Sequence, residues 1–431
     1  MPRYDRLTDP SGTGLKYAEW YYGPQKRLLA AYTTDLQTGT STFGNMHSSV
    51  YYQDIEESRM SRKFRNDQLQ KRVEQVTILG ATLDFTNKIG VHDMNWGLDI
   101  QRGEVKSIAT QKNIVTGDIT SLDTRYPDGK NIQQSAGVYY AHSWHISPKT
   151  TLTDGVRLGI SSLTSNIQDT SFFRLPFQSV KQNNVVYSGN IGITHQASEE
   201  VKLSALISSG YRVPNVDDLA KVFESAPGKL IVPNEKIKPE RTITYEAGIE
   251  KNNQHDTKWE AHMYYTDFID AIVTDKFSWN GADSVIYNGT KSAVLANQNK
   301  RRAYVYGIQI NWQKEITKGL SMQLSGMYTY GRVKTDSSDA PLDHIPPMML
   351  RTAVRYELPH LITEISIDYN GKKRLADYML NGEDNEQYAT PDGMPAWLSA
   401  NLHVQWQINK WVTMNTGIDN IFDTQYRTFA S

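Results

Sequence analysis

Residues 304–313, YVYGIQINWQ, alternate between apolar and polar or small side chains from Tyr306 onward. The apolar set occupies the even positions: Tyr304, Tyr306, Ile308, Ile310 and Trp312. Because successive side chains of a β-strand point to opposite faces, this stretch predicts a strand with one apolar and one polar face. Strands of soluble sheets are about five or six residues long, whereas a tilted strand that crosses a bilayer needs about nine to eleven. The length of the run therefore favours a membrane-spanning strand.

The same alternation recurs along nearly the whole chain. It is clearest in Val138–Ile146, Val185–Thr194, Ile243–Glu250, Leu320–Gly331, Leu361–Asn370 and Leu398–Asn409. The pattern predicts about sixteen strands, from Arg27–Leu36 to Trp411–Ile418. We therefore predict an all-β fold, a transmembrane antiparallel β-barrel.

Very short turns alternate with long polar loops in this pattern. The predicted turns are Thr86–Gly90, Ser147–Thr150, Ala197–Glu200, Lys251–Asp256, Thr317–Gly319, Pro359–His360 and Asn409–Lys410. The predicted loops are Lys106–Asn131, Leu163–Asn183, Tyr211–Glu240, Asp275–Arg302, Arg332–Pro346 and Lys372–Pro395. Membrane barrels have short turns at one end and longer loops at the other. A helical turn is expected only in Asp217–Glu224.

Composition excludes several classes of protein. Only 39% of the residues are hydrophobic, and no run approaches the roughly eighteen apolar residues of a membrane helix. The 25 Tyr and 9 Trp, against 11 Phe, suit a membrane–water interface. A net charge of −1 gives no general attraction to nucleic acid. The absence of cysteine excludes disulfides and thiolate sites. No catalytic constellation is readable, so neither an enzyme nor a cofactor is expected.

The two ends of the chain predict a partial barrel. A barrel leaves no open edge in lipid, because unpaired N–H and C=O groups are costly there. If the long loops are extracellular, the last strand runs outward and a further inward strand is expected. Met1–Arg3 is expected to end an earlier strand, and the N-terminus lacks the apolar region of a signal peptide. These features predict a fragment of a longer protein.

Four short motifs stand at particular places in this pattern. Tyr211-Arg212-Val213-Pro214 ends one predicted strand, and residues 234–240, NEKIKPE, precede the next. Residues 341–347, PLDHIPP, precede a later strand, and residues 417–427, GIDNIFDTQYR, lie near the end. In this order, and with the barrel pattern, the motifs resemble the family of TonB-dependent outer-membrane receptors over essentially the whole chain. The motif residues expected to be structural are Pro214, Asn234, Pro239, Glu240, Pro346, Pro347, Asn420, Phe422, Asp423 and Tyr426.

The resemblance implies a 22-stranded barrel closed by a plug domain, of which residues 1–431 would supply about sixteen strands. The plug, the first strands and the last strand would be absent. It also implies residence in the outer membrane of a Gram-negative cell and energy-coupled import of a scarce ligand. The implied partners are a small-molecule ligand, outer-membrane lipids with lipopolysaccharide, and TonB with its inner-membrane complex through the missing plug.

The ligand that the resemblance favours is a ferric siderophore, haem or another iron complex. Haem is less well supported, because no histidine lies between Pro214 and Asn234 to serve as an axial ligand. Residues in predicted loops or strand tips are candidate ligand contacts, because binding residues concentrate there. They are Tyr21, Tyr22, Arg174, Tyr211, Arg212, Trp279, Lys373, Arg374 and Tyr378. No metal ligand is expected, and the aromatic members equally suit a membrane girdle.

Several alternatives remain open from the sequence. Cobalamin or a glycan is a possible ligand within the same family. A passive porin would lack the motifs, and an outer-membrane protease or lipase barrel would have fewer strands. A soluble β-rich binding protein would have to be stable in water without detergent.

Overall fold

A computed structural model describes residues 14–37, 44–168, 179–226, 228–253, 256–287, 289–334, 339–379, 384, 386 and 389–427. These residues form one sheet of 22 strands and two short helices. Within this part of the chain, no helix is long and apolar enough to cross a membrane.

The sheet dominates the structure. Its strands are β1 (Tyr17–Tyr22), β2 (Lys26–Gln37), β3 (Asn45–Lys63), β4 (Gln68–Ile89), β5 (His92–Asn113), β6 (Ile119–Ser121), β7 (Asn131–Ser147), β8 (Thr150–Asn166), β9 (Ser179–Gln196), β10 (Val201–Arg212), β11 (Phe223–Ala226), β12 (Lys229–Ile231), β13 (Glu240–Asn253), β14 (Thr257–Lys276), β15 (Ser284–Tyr287), β16 (Thr290–Thr317), β17 (Leu320–Lys334), β18 (Asp339–Pro341), β19 (Met349–Leu358), β20 (Leu361–Asn370), β21 (Trp397–Asn409) and β22 (Val412–Ile418). The helices are α1 (Val216–Ala220) and a 3₁₀ turn at Leu375–Asp377.

Each long strand pairs antiparallel with the next long strand along the chain. β1 and β2 both pair with β3 as two halves of one strand, interrupted at Gly23-Pro24, because proline has no N–H for the ladder. The short strands β6, β11, β12, β15 and β18 lie in loops, so sixteen strands form the wall within the described residues. This confirms the all-β antiparallel barrel. Among those residues, β2 pairs with β3 and β22 with β21, and these two strands do not pair with each other.

The two faces of the wall differ as the alternation predicts. On β8, Val156, Leu158 and Ile160 are all more than half exposed and form an apolar outer face. Arg157, between them, lies on the lumen face, where its Nη1 is 2.7 Å from Asp99 Oδ2 on β5. The guanidinium crosses Gly137 of the intervening strand, where a Cβ would lie 2.2 Å from Arg157 Nη2. A glycine at this position therefore makes room for a polar contact along the lumen wall.

The two ends of the barrel also differ. Two-residue turns join β4 to β5, β7 to β8, β16 to β17, β19 to β20 and β21 to β22. In the β16–β17 turn, Gly319 has φ +81°, a conformation that favours glycine, and its Cβ position lies 2.4 Å from the Glu357 carbonyl oxygen. The opposite end carries the long loops, apart from the short Phe64–Asp67 turn between β3 and β4. We refer to these as the short-turn end and the loop end.

Most of the predicted loops are partly strand, and the difference is largest in two of them, which corrects the expected boundaries. β5 continues to Asn113, although Lys106–Asn131 was the predicted loop. β16 begins at Thr290 and runs for 28 residues, although Asp275–Arg302 was the predicted loop. Paired strands satisfy their backbone N–H and C=O groups whatever side chains they carry. Outside the membrane, polar composition therefore does not show where a strand ends. β12 also pairs parallel with β16 in this extension.

Candidate functional site

The loop between β10 and β13 begins and ends in one cluster of ion pairs. Arg212, the last residue of β10, donates Nε to Glu240 Oε1 and Nη1 to Asp218 Oδ2, both at 2.7 Å. Glu240 is the first residue of β13, and its Oε2 accepts the Ile272 N–H of β14 at 2.7 Å. We name Arg212, Asp218 and Glu240 the loop clamp, because they join the two ends of the loop to each other and to the wall.

The short helix α1 is held by its cap and by the clamp. Asn215 Oδ1 accepts the Asp218 N–H at 3.1 Å, and Asp218 Oδ2 accepts the Asn215 N–H at 3.0 Å, which is a capping box. Asp218 Oδ1 also accepts Asn297 Nδ2 of β16 at 3.2 Å. A buried carboxylate is costly unless it is paired, so these contacts explain how Asp218 is tolerated at 8% exposure. The helical turn expected in Asp217–Glu224 forms slightly earlier in the chain.

The second motif of this loop is bound to β16. Asn234 Nδ2 donates to the Asn297 carbonyl at 2.8 Å. Asn299 Oδ1 accepts the Lys238 N–H at 2.7 Å, and its Nδ2 donates back to the Lys238 carbonyl at 2.9 Å. Pro214 is fully buried, and Pro239 directly precedes β13. These contacts fix the path of the loop rather than present side chains to a ligand.

The loop folds into the mouth of the barrel. Leu219, Ala220 and Ile237 are buried against Leu163 and Val180, which belong to the lumen-facing rows of β8 and β9. A second buried cluster joins this loop to the β14–β16 region and contains Leu230, Val232, Trp279, Tyr287, Val294 and Ala296. The loop therefore packs against two separate parts of the barrel.

A cavity of about 350 Å³ opens beside this loop. Its aromatic lining is Tyr17, Trp20, Tyr21, Tyr22 and Tyr287, and its arginines are Arg59, Arg72 and Arg125. The Arg59 guanidinium lies 5.3 Å from the Tyr22 ring centroid, and Trp20 packs edge to face on Tyr22 at 5.2 Å. We call this the mouth cavity. An adjoining cavity of about 240 Å³ shares Asp123, Arg125 and Tyr287 with it.

Asp123 connects the elements around the mouth cavity. Its Oδ1 accepts Arg72 Nη2 of β4 at 3.0 Å, and its Oδ2 accepts the Tyr287 hydroxyl of β15 at 2.7 Å. Nearby, burial and the Asp217 carboxylate raise the pKa of Tyr126 to about 12, so its hydroxyl stays protonated. Arg125 Nε is buried without a hydrogen-bond partner among the described residues. One cationic donor of the cavity lining, Arg125 Nε, therefore lacks a partner within the part of the chain that the structure describes.

The β20–β21 loop holds a separate group of charges. Lys373 is buried, and its Nζ donates to Asp384 Oδ2 at 2.7 Å and to the Ile345 carbonyl at 2.9 Å. Arg374 is exposed and pairs with Asp377 at 2.9 Å. Burial alone would raise the pKa of Asp377, but hydrogen bonds from Arg374 and Arg332 hold that pKa below its usual value. Tyr378 is buried with its ring 4.7 Å from Lys373 Nζ. Lys373 and Arg374 therefore already have carboxylate partners.

The last motif folds back over β21. Asn420 and Asp423 have φ near +50°, and Asn420 Oδ1 accepts the Thr424 N–H at 3.0 Å. Tyr426 stacks on Trp397 with ring centroids 4.0 Å apart, and Phe422 is exposed. Pro346 and Pro347 lie half-buried before β19.

The candidate contacts do not gather at one place. Tyr21 and Tyr22 line the mouth cavity, whereas Trp279 is buried in the loop core. Tyr211 lies in the wall, where its hydroxyl hydrogen-bonds Arg157, and Arg212 belongs to the clamp. Lys373, Arg374 and Tyr378 lie in the separate β20–β21 loop, and Arg174 lies outside the described residues.

Sequence reasoning missed the cationic side of the mouth cavity. The antiparallel register places Tyr22 opposite Arg59, and Arg59 opposite Arg72. The signal in the sequence was that consecutive strands each carry an arginine near the loop end. Groups of three or more His, Cys, Asp or Glu placed to hold a metal ion are absent from the described residues.

A wall of long antiparallel strands, apolar outside and polar inside, with loops packed into one mouth, defines a membrane β-barrel. The family model described as TonB dependent receptor-like, beta-barrel matches residues 2–421. The chain therefore belongs to this family, whose barrels lie in the outer membrane.

Known proteins similar to this chain include receptors and transporters. Transferrin-binding protein A of Neisseria meningitidis serogroup B is 23% identical over 57% of this chain and 28% of its own length. The ferric enterobactin receptor of Pseudomonas aeruginosa is 20% identical over 55% of this chain and 33% of its own length. Among solved structures, the copper transporter OprC superposes with a TM-score of 0.77 at 18% identity, covering 95% of this chain and 61% of that chain. The chain thus spans a third or less of these curated relatives.

Proposed function

We propose that the chain forms the barrel wall of an outer-membrane receptor that imports an iron complex, such as a ferric siderophore or haem. In this proposal the intact protein includes a plug domain and further strands. TonB and its inner-membrane complex act through that plug to drive import. Lipopolysaccharide and phospholipid surround the outer face.

The mouth cavity carries the proposal. Its five aromatic rings offer stacking surfaces, and Arg59 and Arg125 suit the oxygen anions of a metal chelate. The third arginine, Arg72, is already paired with Asp123. Arg125 has a buried Nε without a hydrogen-bond partner among the described residues. Buried donors are normally satisfied, so an anionic ligand at this position would complete its bonding.

Iron is supported by the similar proteins. One curated relative is named as a receptor for ferric enterobactin, an iron complex, and the other is named as binding transferrin. Copper is a second candidate, because the copper transporter superposes over 95% of this chain. A free copper ion would need several soft or imidazole ligands, whereas Met60 is the only such side chain among the described residues that line the mouth cavity.

Uptake of radiolabelled iron separates these candidates. Cells that carry the intact protein and a functional TonB are expected to accumulate iron from one class of chelate, and cells without TonB are not. Replacing both Arg59 and Arg125 by Gln should weaken binding of that chelate by about a hundredfold, since two charge-assisted hydrogen bonds are lost. Arg241→Gln is the matched control, because Arg241 pairs with Tyr187 away from the cavity.

Unchanged chelate affinity in the Arg59→Gln and Arg125→Gln double variant would contradict the assignment to the mouth cavity. Uptake of copper ions without iron uptake would favour the second candidate.

A further inference from the structure

Three polar side chains lie on the outer face near the short-turn end. His142 on β7 is directly opposite Asp154 on β8, and opposite residues share a face of the sheet. Asp154 is two residues before Val156, whose side chain is 51% exposed in the apolar outer row. His92, the first residue of β5, is opposite Trp144 on the same face. Polar groups are thus placed where the wall meets lipid.

These side chains form a hydrogen-bonded chain. His142 Nδ1 is 2.9 Å from Asp154 Oδ1, and His142 Nε2 is 2.9 Å from His92 Nδ1. An ionised carboxylate only accepts, so His142 Nδ1 carries a proton and its Nε2 accepts one from His92. The charge on Asp154 therefore sets the tautomer of His142 and the donor atom of His92.

Aromatic rings surround this chain. His92 stacks on Trp144 with centroids 5.9 Å apart, and Tyr140 lies 6.3 Å from His142. Tyrosine and tryptophan concentrate at the depth of lipid headgroups. The Asp154 side chain is 42% exposed between the apolar Leu152 and Val156, so its carboxylate meets the headgroup layer.

We propose that Asp154, His142 and His92 bind the headgroup of a phospholipid that carries a primary ammonium group, as phosphatidylethanolamine does. The ammonium group pairs with Asp154 beside the faces of Tyr140 and Trp144, which also attract a cation. The phosphate accepts from His92 when its second ring nitrogen is protonated. An anionic lipid without an ammonium group lacks the partner for Asp154. This site concerns the outer face and is independent of which ligand the mouth cavity takes.

Lipid retention by the purified protein tests the proposal. The protein is extracted from its native membrane in mild detergent and mixed with equal amounts of phosphatidylethanolamine, phosphatidylcholine and phosphatidylglycerol, and bound lipids are counted by native mass spectrometry. Phosphatidylethanolamine should be retained preferentially. Asp154→Asn should reduce that preference about tenfold, the effect of one lost charge-assisted hydrogen bond, and Asp154→Glu should restore part of it.

Asp93→Asn is the matched control. Asp93 pairs with His145 at 2.6 Å on the lumen side of the same end, so the variant removes the same chemistry from the other face. It should leave lipid retention unchanged, and a heat-modifiable gel band shows that each variant folds. Equal retention of the three lipids, or equal loss in both variants, would overturn the proposal. The proposal would also be overturned if another protein were bound to this face and added phosphatidylethanolamine did not displace it.

Discussion

At the scale of the residue, the loop end depends on carboxylates that each bind more than one partner. Asp218 joins Arg212, Asn215 and Asn297, and Asp123 joins a strand arginine to a loop tyrosine. A charge taken from water is tolerated only with such partners. Single substitutions among these partners should therefore loosen the loops without unfolding the wall.

Replacing Arg212 by alanine tests the loop clamp. The variant leaves Asp218 and Glu240 without their cationic partner. We therefore expect the free energy of opening α1 to fall by about 2 kcal/mol. This loss is smaller than for a fully buried pair because Arg212 is partly exposed. Hydrogen exchange at the Leu219 amide, which donates to the Asn215 carbonyl at 3.1 Å, measures this. Lys202→Ala is the control, because the Lys202–Glu250 pair is exposed and is expected to contribute less than about 1 kcal/mol. Unchanged exchange in Arg212→Ala would show that the clamp is not needed.

At the scale of the element, alternation located the strands but not their ends. Val138–Ile146 was predicted, and β7 runs from Asn131 to Ser147. Outside the bilayer both faces of a strand meet water, so side chains there no longer need to alternate. The same ladder continues through polar residues such as those at the start of β16. Boundaries at the loop end were therefore not readable from composition.

The β16–β17 turn gives a prediction about its central glycine. Gly319→Ala should lower the free energy of unfolding by at least about 3 kcal/mol, because it combines a positive φ with a backbone clash. Gly289→Ala is the matched control: Gly289 has φ +79° but no atom within 4 Å of its Cβ position. It should cost only about 1–2 kcal/mol. Denaturant unfolding in detergent, followed by tryptophan fluorescence, measures both, and equal losses would mean that the Glu357 carbonyl is not an obstacle.

At the scale of the whole molecule, the wall separates two environments one residue apart. Val185 of β9 is 74% exposed on the outer face, and Asn184 beside it lies on the lumen face. Val185 pairs with Ile160, six residues further from the short-turn end than Asp154. Val185→Lys should destabilise the folded barrel in lipid vesicles by about 2–4 kcal/mol, the cost of a lysine near the bilayer centre, and Asn184→Lys by about 1 kcal/mol or less. Equal effects in the two variants would be inconsistent with the assigned faces.

The mouth cavity was less predictable than the wall. Tyr21 and Tyr22 were recognisable as aromatic residues at a strand tip, but Arg59, Arg72 and Arg125 reach them only through the register of three strands and one loop. Register depends on backbone pairing between segments far apart in the chain, which the composition of any one segment does not specify. The four motifs indicated the family, and the contacts of Arg212, Asn234 and Glu240 show how residues at the two ends of one loop hold it to the wall.

The length of β16 also determines how far the protein stands above the membrane. Its 28 residues extend about 90 Å along the strand, or roughly 65 Å in height at a tilt near 45°, against a hydrocarbon layer of about 30 Å. Since the short-turn end lies close to the opposite membrane surface, most of the excess projects on the loop side. Large particles that approach from the loop side would then meet a raised protein rim before they reach the lipids.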